Sequence, residues 1–183
     1  MSEPFVVAFV PGVTPGKWER IWRDRRAGLL DLRPMTQDAA RAALEDGSAH
    51  MALLRDTVAD DRWHAIPLYR EQPVVIAPRD SLVAALDSAR LADLAGENVL
   101  DVDLVAGDGA DAVELVAANV AVAVVPQSIA RLHSRKDVVA RPVEDAPDSG
   151  VSLVWPQDGA HPLCDTFIGI VRGRTINSSR GAS

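Results

Sequence analysis

The chain has 183 residues, one cysteine and a formal net charge of −7. That length buries roughly 70% of the unfolded surface, so one compact domain or two small lobes need no disulfide staples. Cys164 has no partner for a disulfide or a thiolate metal site, which fits a reducing cytoplasm; the acidic balance excludes direct grip on a nucleic-acid backbone, which requires cations that release counterions.

The start, MSEPFVVAFVPGV, lacks a basic n-region, and its apolar run is broken by Pro11 and Gly12, so no export signal is expected. No window reaches the roughly 18 uninterrupted apolar residues of a membrane span, because even 112–126 contains Glu114 and Asn119. A cytoplasmic protein is therefore expected.

Phe5 to Val10 is a continuous apolar run ended by Pro11-Gly12, the pattern of a buried parallel strand followed by a turn. Thr14 is a candidate N-cap with Pro15 at the first helical position, and Trp18, Ile21 and Trp22 then share one helix face. Leu29 to Arg33 is the next strand. Thr36 caps a second helix that buries Ala40, Ala43 and Leu44 and stops at Gly47, and Met51 to Leu54 is a third strand. The β-α-β-α-β order implies parallel strands, with ligand-binding loops at their carboxyl ends, here 11–16 and 55–61.

Ile66 to Tyr69 and Pro73 to Ala77 are two further apolar stretches, separated by Arg70-Glu71-Gln72. A lobe boundary is expected after Ala77, at Pro78-Arg79-Asp80. A second series follows: a short helix at 91–94, a strand at 99–105, a helix at 110–118, a strand at 120–125, and a helix opening near Pro126 that buries Ile129 and Leu132. Val138 to Val143 is a strand able to cross back to the first lobe. Val151 to Trp155 is one more strand, and Pro162 opens a last helix with Leu163, Phe167, Ile170 and Val171 on its apolar face. The end from Arg172 is basic, small and polar, a flexible tail.

Five segments in this order, FVVAFVPGVTPGKWERIW, an arginine-rich helix end, LDLRPMTQDAARAALEDGSAHMALLR, IPLYREQPVVIAPRDSLVA and DAVELVAANVAVAVVPQSIARL, resemble the effector-binding domain of LysR-type transcriptional regulators. The resemblance covers the chain up to about Phe167. It implies an α/β fold of the type 2 periplasmic-binding-protein kind: two Rossmann-like lobes, a cleft between them and a two-strand hinge that includes 73–77. The first lobe would comprise 1–77 plus 144–171 and the second 78–143, with 172–183 as the tail. The winged helix-turn-helix that the family places in front does not lie within these residues, and the Met1-Ser2-Glu3 start favours a detached effector domain over a fragment. His50 stands where the family usually has aspartate, and Asn119 and Ala121 stand where its helix-to-strand turn carries glycines. Asparagine tolerates positive φ, whereas Ala121 narrows a close backbone approach and bears on the shape of the cleft.

GDGADA at 107–112 fits a dinucleotide fingerprint in spacing. Asp108 and Asp111, however, would put two negative charges where a pyrophosphate must dock, so a βα turn whose aspartates cap the helix is the better reading, and no cofactor is expected. In the family this turn lines the cleft, which makes Asp108, Gly109 and Ala110 candidate ligand contacts. Thr14 doubles as helix cap and, by resemblance, as a ligand-facing hydroxyl, with Gly16 at the helix N-terminus beside it and Lys17 adding charge. Arg55 sits at the cleft edge, where it either grips a carboxylate or pairs with Asp56 or Asp60. Gln72 lies near the cleft mouth. Trp18 and Trp22 fit a core, and by resemblance their helix helps form an antiparallel dimer, either a homodimer or a heterodimer with a LysR-type regulator.

The four histidines lack metal-site spacing, there is no G-x-S-x-G elbow and Cys164 falls inside a helix, so neither catalytic residues nor metal ligands are assigned. The resemblance then implies a sensor in transcriptional control that takes a small organic acid between its lobes, without touching DNA or membrane. The alternative is an interaction module that keeps the fold, has lost the ligand and modulates a full-length regulator.

Overall fold

The computed structural model describes residues 3–25 and 27–173; beyond Gly173 the expected tail lies outside them. Along the chain the first elements are β1 (Phe5–Phe9), α1 (Gly16–Asp24), β2 (Leu30–Pro34), α2 (Gln37–Glu45), β3 (Met51–Arg55) and β4 (Trp63–Glu71). Next come β5 (Pro73–Pro78), two 3₁₀ turns at Val83–Ala85 and Leu91–Leu94, β6 (Val99–Leu100), α3 (Ala110–Ala117) and β7 (Val122–Pro126). The chain then forms α4 (Gln127–Leu132), β8 (Val138–Pro142), β9 (Ser149–Pro156) and α5 (Cys164–Val171). The strands make two sheets, β2-β1-β3-β9-β4 and β6-β7-β5-β8. Each is the centre of one lobe of a mixed α/β fold.

In the first sheet β1 pairs in parallel with β2 and β3, as the alternation of strands and helices required. Its central strands are buried on both faces, so they read as unbroken apolar runs instead of alternating ones. β9 and β4 extend the sheet antiparallel. β4 is longer than the expected Ile66–Tyr69 and carries a bulge between Pro67 and Tyr69; it tolerates Pro67 because it is an edge strand. α2 is capped by Thr36, whose hydroxyl accepts from the Ala39 N–H at 3.4 Å, and it buries Ala40, Ala43 and Leu44 before Gly47 turns the chain at φ +78°. The cap of α1 is Pro15 rather than Thr14. Pro15 already has φ −78° and ψ −1°, and its carbonyl accepts from Trp18 and Glu19.

Trp18 and Trp22 belong to the core of their own lobe, with 5% and 2% exposure. Trp22 stacks on Phe5 at 5.3 Å and donates its indole N–H to the Gly28 carbonyl at 2.9 Å, while Phe167 of α5 meets both tryptophans edge-on or tilted. Such ring pairs contribute about 0.5–1.5 kcal/mol each beyond burial. Neither ring offers an exposed dimer anchor, which corrects the expectation placed on them. His50 serves as an acceptor: its Nδ1 takes the Val6 N–H at 2.9 Å, and its ring lies against Phe5 and His161. Burial, followed by the neighbouring His161, holds its pKa below the usual imidazole value. Cys164 opens α5 and is buried, which pushes its thiol up to about 11.

The second sheet differs from expectation in three places. The strand expected over 99–105 stops at Leu100, because Asp103 Oδ1 accepts from the N–H groups of Val105 and Ala106 and turns the chain. β8 does not cross back; it pairs antiparallel with β5, which lies inside this sheet between β7 and β8. Leu132 ends α4 at 51% exposure, whereas Ile129 is fully buried. Asn119 adopts φ +60°, so the turn from α3 into β7 survives without glycine, and Ala121 packs inside at 6% exposure.

Candidate functional site

The two sheets exchange the chain twice, at Gln72 between β4 and β5 and again between β8 and β9. Arg55, the last residue of β3, sits at this junction with 5% exposure. Its Nε donates to Glu71 Oε2 at 3.1 Å and its Nη2 to Ser128 Oγ at 2.9 Å, while its backbone N–H donates to Gln37 Oε1 at 2.8 Å. The guanidinium thus ties β3 to β4 in one lobe and to the first turn of α4 in the other. Neither aspartate suggested as its partner is available. Asp56 accepts from Gly150 and Ser149, and Asp60 accepts from the N–H groups of Arg62 and Trp63.

Beside this pair a cleft of about 690 Å³ opens between the lobes, a volume suited to a small organic ligand. The first lobe contributes Gly12, Thr14, Lys17 and Tyr69, Glu71 lies at the junction, and the second lobe contributes Asp108, Ser128 and Arg131. Burial first, then the charge of Glu71, raises the Tyr69 phenol above its ordinary value, so the phenol stays a neutral donor. Lys17 lies over the Trp18 ring at 4.9 Å. Among the described residues neither Lys17 nor Arg131 has a carboxylate within ion-pair distance, so each lobe brings to the cleft one cation without an ion-pair partner. A second hollow of about 480 Å³ flanks Arg55 on the α2 side, lined by Gln37, Val105 and Asp148 among others.

Of the residues singled out in the sequence, Thr14 and Asp108 both line the larger cleft, one from each lobe. Arg55 borders the smaller one. Gly16 is the exposed first residue of α1, and Gln72 has an exposed side chain whose backbone carbonyl accepts from the Gln127 N–H at 3.0 Å. Gly109 is buried at φ +83°, where a Cβ would come within 2.9 Å of Ile129 Cγ2. The Ala110 N–H is already taken by Asp108 Oδ1 at 2.9 Å, and the Asp108 carbonyl accepts from His133 Nε2 at 2.9 Å. The turn is therefore internally satisfied, and its side of the cleft offers chiefly the Asp108 side chain.

Glu71, Ser128 and Arg131 were not singled out from the sequence. The bulge in β4 shifts the phase of that strand, so alternation counted from Ile66 places Glu71 wrongly. Ser128 and Arg131 carry no local signal; only the packing of α4 on β5 and β7, which brings Ser128 to Arg55 at the end of β3, reveals them. Among the described residues no group of three or more His, Cys, Asp or Glu is placed to hold a metal ion, and no helix is long and apolar enough to cross a membrane.

Comparison with solved structures supports this architecture. The effector-binding domain of a BenM variant superposes with a TM-score of 0.79 at 15% identity, covering 97% of each chain. The BenM effector-binding domain with its effector benzoate gives 0.75 at 15% identity, over 98% of this chain and 95% of that one. The OxyR regulatory domain from Pseudomonas aeruginosa gives 0.73 at 16% identity, over 95% and 97%. No curated protein sequence matches. The model of the LysR substrate binding domain, by contrast, matches residues 29–111 and 99–175, which together run from β2 to α5 and include the second-lobe side of the cleft. On that match, carried over most of its length, the chain belongs to the LysR substrate-binding domain family.

Proposed function

We propose that the chain is the sensing domain of a transcriptional regulator and binds a small organic anion in the larger cleft. The observation that carries this reading is the pair of cations without ion-pair partners, Lys17 and Arg131, one from each lobe of one cleft in an otherwise acidic protein. A net charge of −7 repels anions at long range, so local cations must supply the attraction. Thr14 adds a hydroxyl, Glu71 does not oppose the anion because Arg55 neutralises it, and the Asp108 carboxylate, 3.8 Å from His133 Nε2, steers the anion toward the Lys17 and Arg131 ends of the cleft.

An anion touching both walls favours the arrangement in which the lobes are close, and that differential affinity is what shifts a conformational equilibrium. The Arg55–Ser128 bond and the bond from the Asp38 N–H to the Val105 carbonyl at 3.1 Å mark that arrangement. The response then passes to a partner copy or a full-length regulator. With the α1 rings in the core, the exposed residues of that helix, Glu19, Arg20 and Arg23, are the ones available for the contact.

The test is a thermal-shift screen of small aliphatic and aromatic carboxylates. A ligand at 100 times its dissociation constant adds about 2.7 kcal/mol, a readily measured rise. Lys17→Ala and Thr14→Val should each weaken the response without lowering the melting temperature of the free protein. Absence of a saturable rise for every carboxylate would remove the anion-sensor reading.

A further inference from the structure

A third hollow, of about 230 Å³, lies within the first lobe alone, between α2 and the loop that joins β3 to β4. Its floor is apolar: Leu44 and Leu54, Val154 of β9, and the indole of Trp63. Its rim carries Arg41 and Glu45 from α2 and Asp60 and Arg62 from the loop.

Most of that rim is already engaged. Arg62 bonds Glu45 at 2.6 Å and lies over the Trp63 ring, with its Cζ 5.5 Å from the centroid. Asp60 Oδ1 accepts from the backbone N–H groups of Arg62 and Trp63, each at 2.8 Å. Arg41 differs. Its Nη2 donates to Thr57 Oγ1 at 3.0 Å, and the Thr57 hydroxyl spends its own proton on the Arg55 carbonyl at 2.9 Å. The guanidinium is therefore oriented by a fixed neutral acceptor, and among the described residues no carboxylate lies within ion-pair distance of it: Glu45 is engaged by Arg62 and Asp60 by two backbone N–H groups. Its remaining N–H groups keep the fork geometry that suits a carboxylate.

We propose that this hollow is a second ligand site, separate from the cleft, for a small monocarboxylic acid with a compact apolar body. The body lies on Leu44, Leu54, Val154 and Trp63, and the carboxylate takes the free N–H groups of Arg41. One uncommitted cation selects a monoanion over a dianion. The volume falls below the roughly 300–1,000 Å³ of drug-sized sites and so restricts the occupant to about one ring or a branched alkyl chain. The site shares no lining residue with the larger cleft, so it stands or falls independently of the sensor reading.

The experiment is a titration of the full chain with 4-fluorobenzoate followed by fluorine NMR, in wild type, Arg41→Gln and Lys17→Ala. Glutamine keeps the helix propensity of an exposed position and removes only the charge. The expected result is saturable binding weakened by about tenfold or more in Arg41→Gln, retained in Lys17→Ala, and accompanied by a magnetisation-transfer contact between the probe and the Trp63 indole. Two saturable phases, of which only one is lost in Arg41→Gln, support the site equally. Binding that is absent, unchanged by Arg41→Gln, or lost only in Lys17→Ala overturns it, the last by locating the probe in the cleft.

Discussion

Removing the guanidinium of Arg55 strands a Glu71 carboxylate whose side chain is only 8% exposed. An uncompensated buried charge costs more than the pair gains, so Arg55→Met should destabilise the protein by about 3–5 kcal/mol in urea unfolding. The double variant Arg55→Met with Glu71→Leu should recover most of that loss, because two apolar side chains need no partner. A single variant as stable as wild type would show that water reaches Glu71 and that the junction is wetter than its burial indicates. Arg55 was visible in the sequence as the polar residue that ends an apolar strand at the cleft edge. Its partner was not: Glu71 stands sixteen residues away on a strand whose bulge at Leu68 moves it off the expected face.

The helices and parallel strands of the first lobe are legible because their signals are local: apolar runs, the Thr36 cap, the Gly47 stop. The end of α3 shows the same logic with an unusual residue. The Val120 N–H reaches the Leu115 carbonyl at 3.1 Å and the Asn119 N–H reaches Val116 at 2.9 Å, a Schellman motif with asparagine at the left-handed position, φ +60°. Asn119→Ala should lose about 1 kcal/mol, the cost of a left-handed L-residue without a helpful side chain, whereas Asn119→Gly should be neutral or stabilising. Chemical denaturation of the two variants checks the order, and equal stabilities would mean that the turn relaxes away from positive φ. What was not legible at this scale is strand partnership. β5 and β8 lie some sixty residues apart in sequence yet pair edge to edge, and nothing in either segment names the other.

At the scale of the molecule, the lobes touch where Gly12 meets α4. Gly12 has φ +86°, and a Cβ there would fall 2.5 Å from Ser128 Oγ and 3.0 Å from Arg55 Nη2. Gly12→Ala should therefore strain the loop and push α4 outward, at a cost of about 1–3 kcal/mol, and should weaken carboxylate binding in the cleft. Ser128→Gly in the same chain should recover part of the stability by clearing the contact. A Gly12→Ala protein with unchanged melting temperature and unchanged ligand response would show that the contact is not maintained in solution. The cleft itself was legible only as an expectation of the fold, since its walls come from α1, β4 and α4, which no sequence window spans together.

The same junction has a topological side. Glu71 is paired with Ser149 across the β4–β9 ladder, so the strand that leads out of the first sheet and the strand that returns to it stand one rung apart, a separation of about 5 Å. To that sheet, everything from Gln72 to Asp148 is the loop of a hairpin. The second lobe is thus an inserted cassette. Replacing residues 73–148 with the corresponding stretch of another member leaves every rung of the first sheet in register and alters the contacts made to it from outside, notably the Arg55–Ser128 and Asp38–Val105 bonds and the Arg70–Asp148 pair at the crossing point. A lobe that can be exchanged without re-threading its neighbour lets ligand preference change while the scaffold is kept.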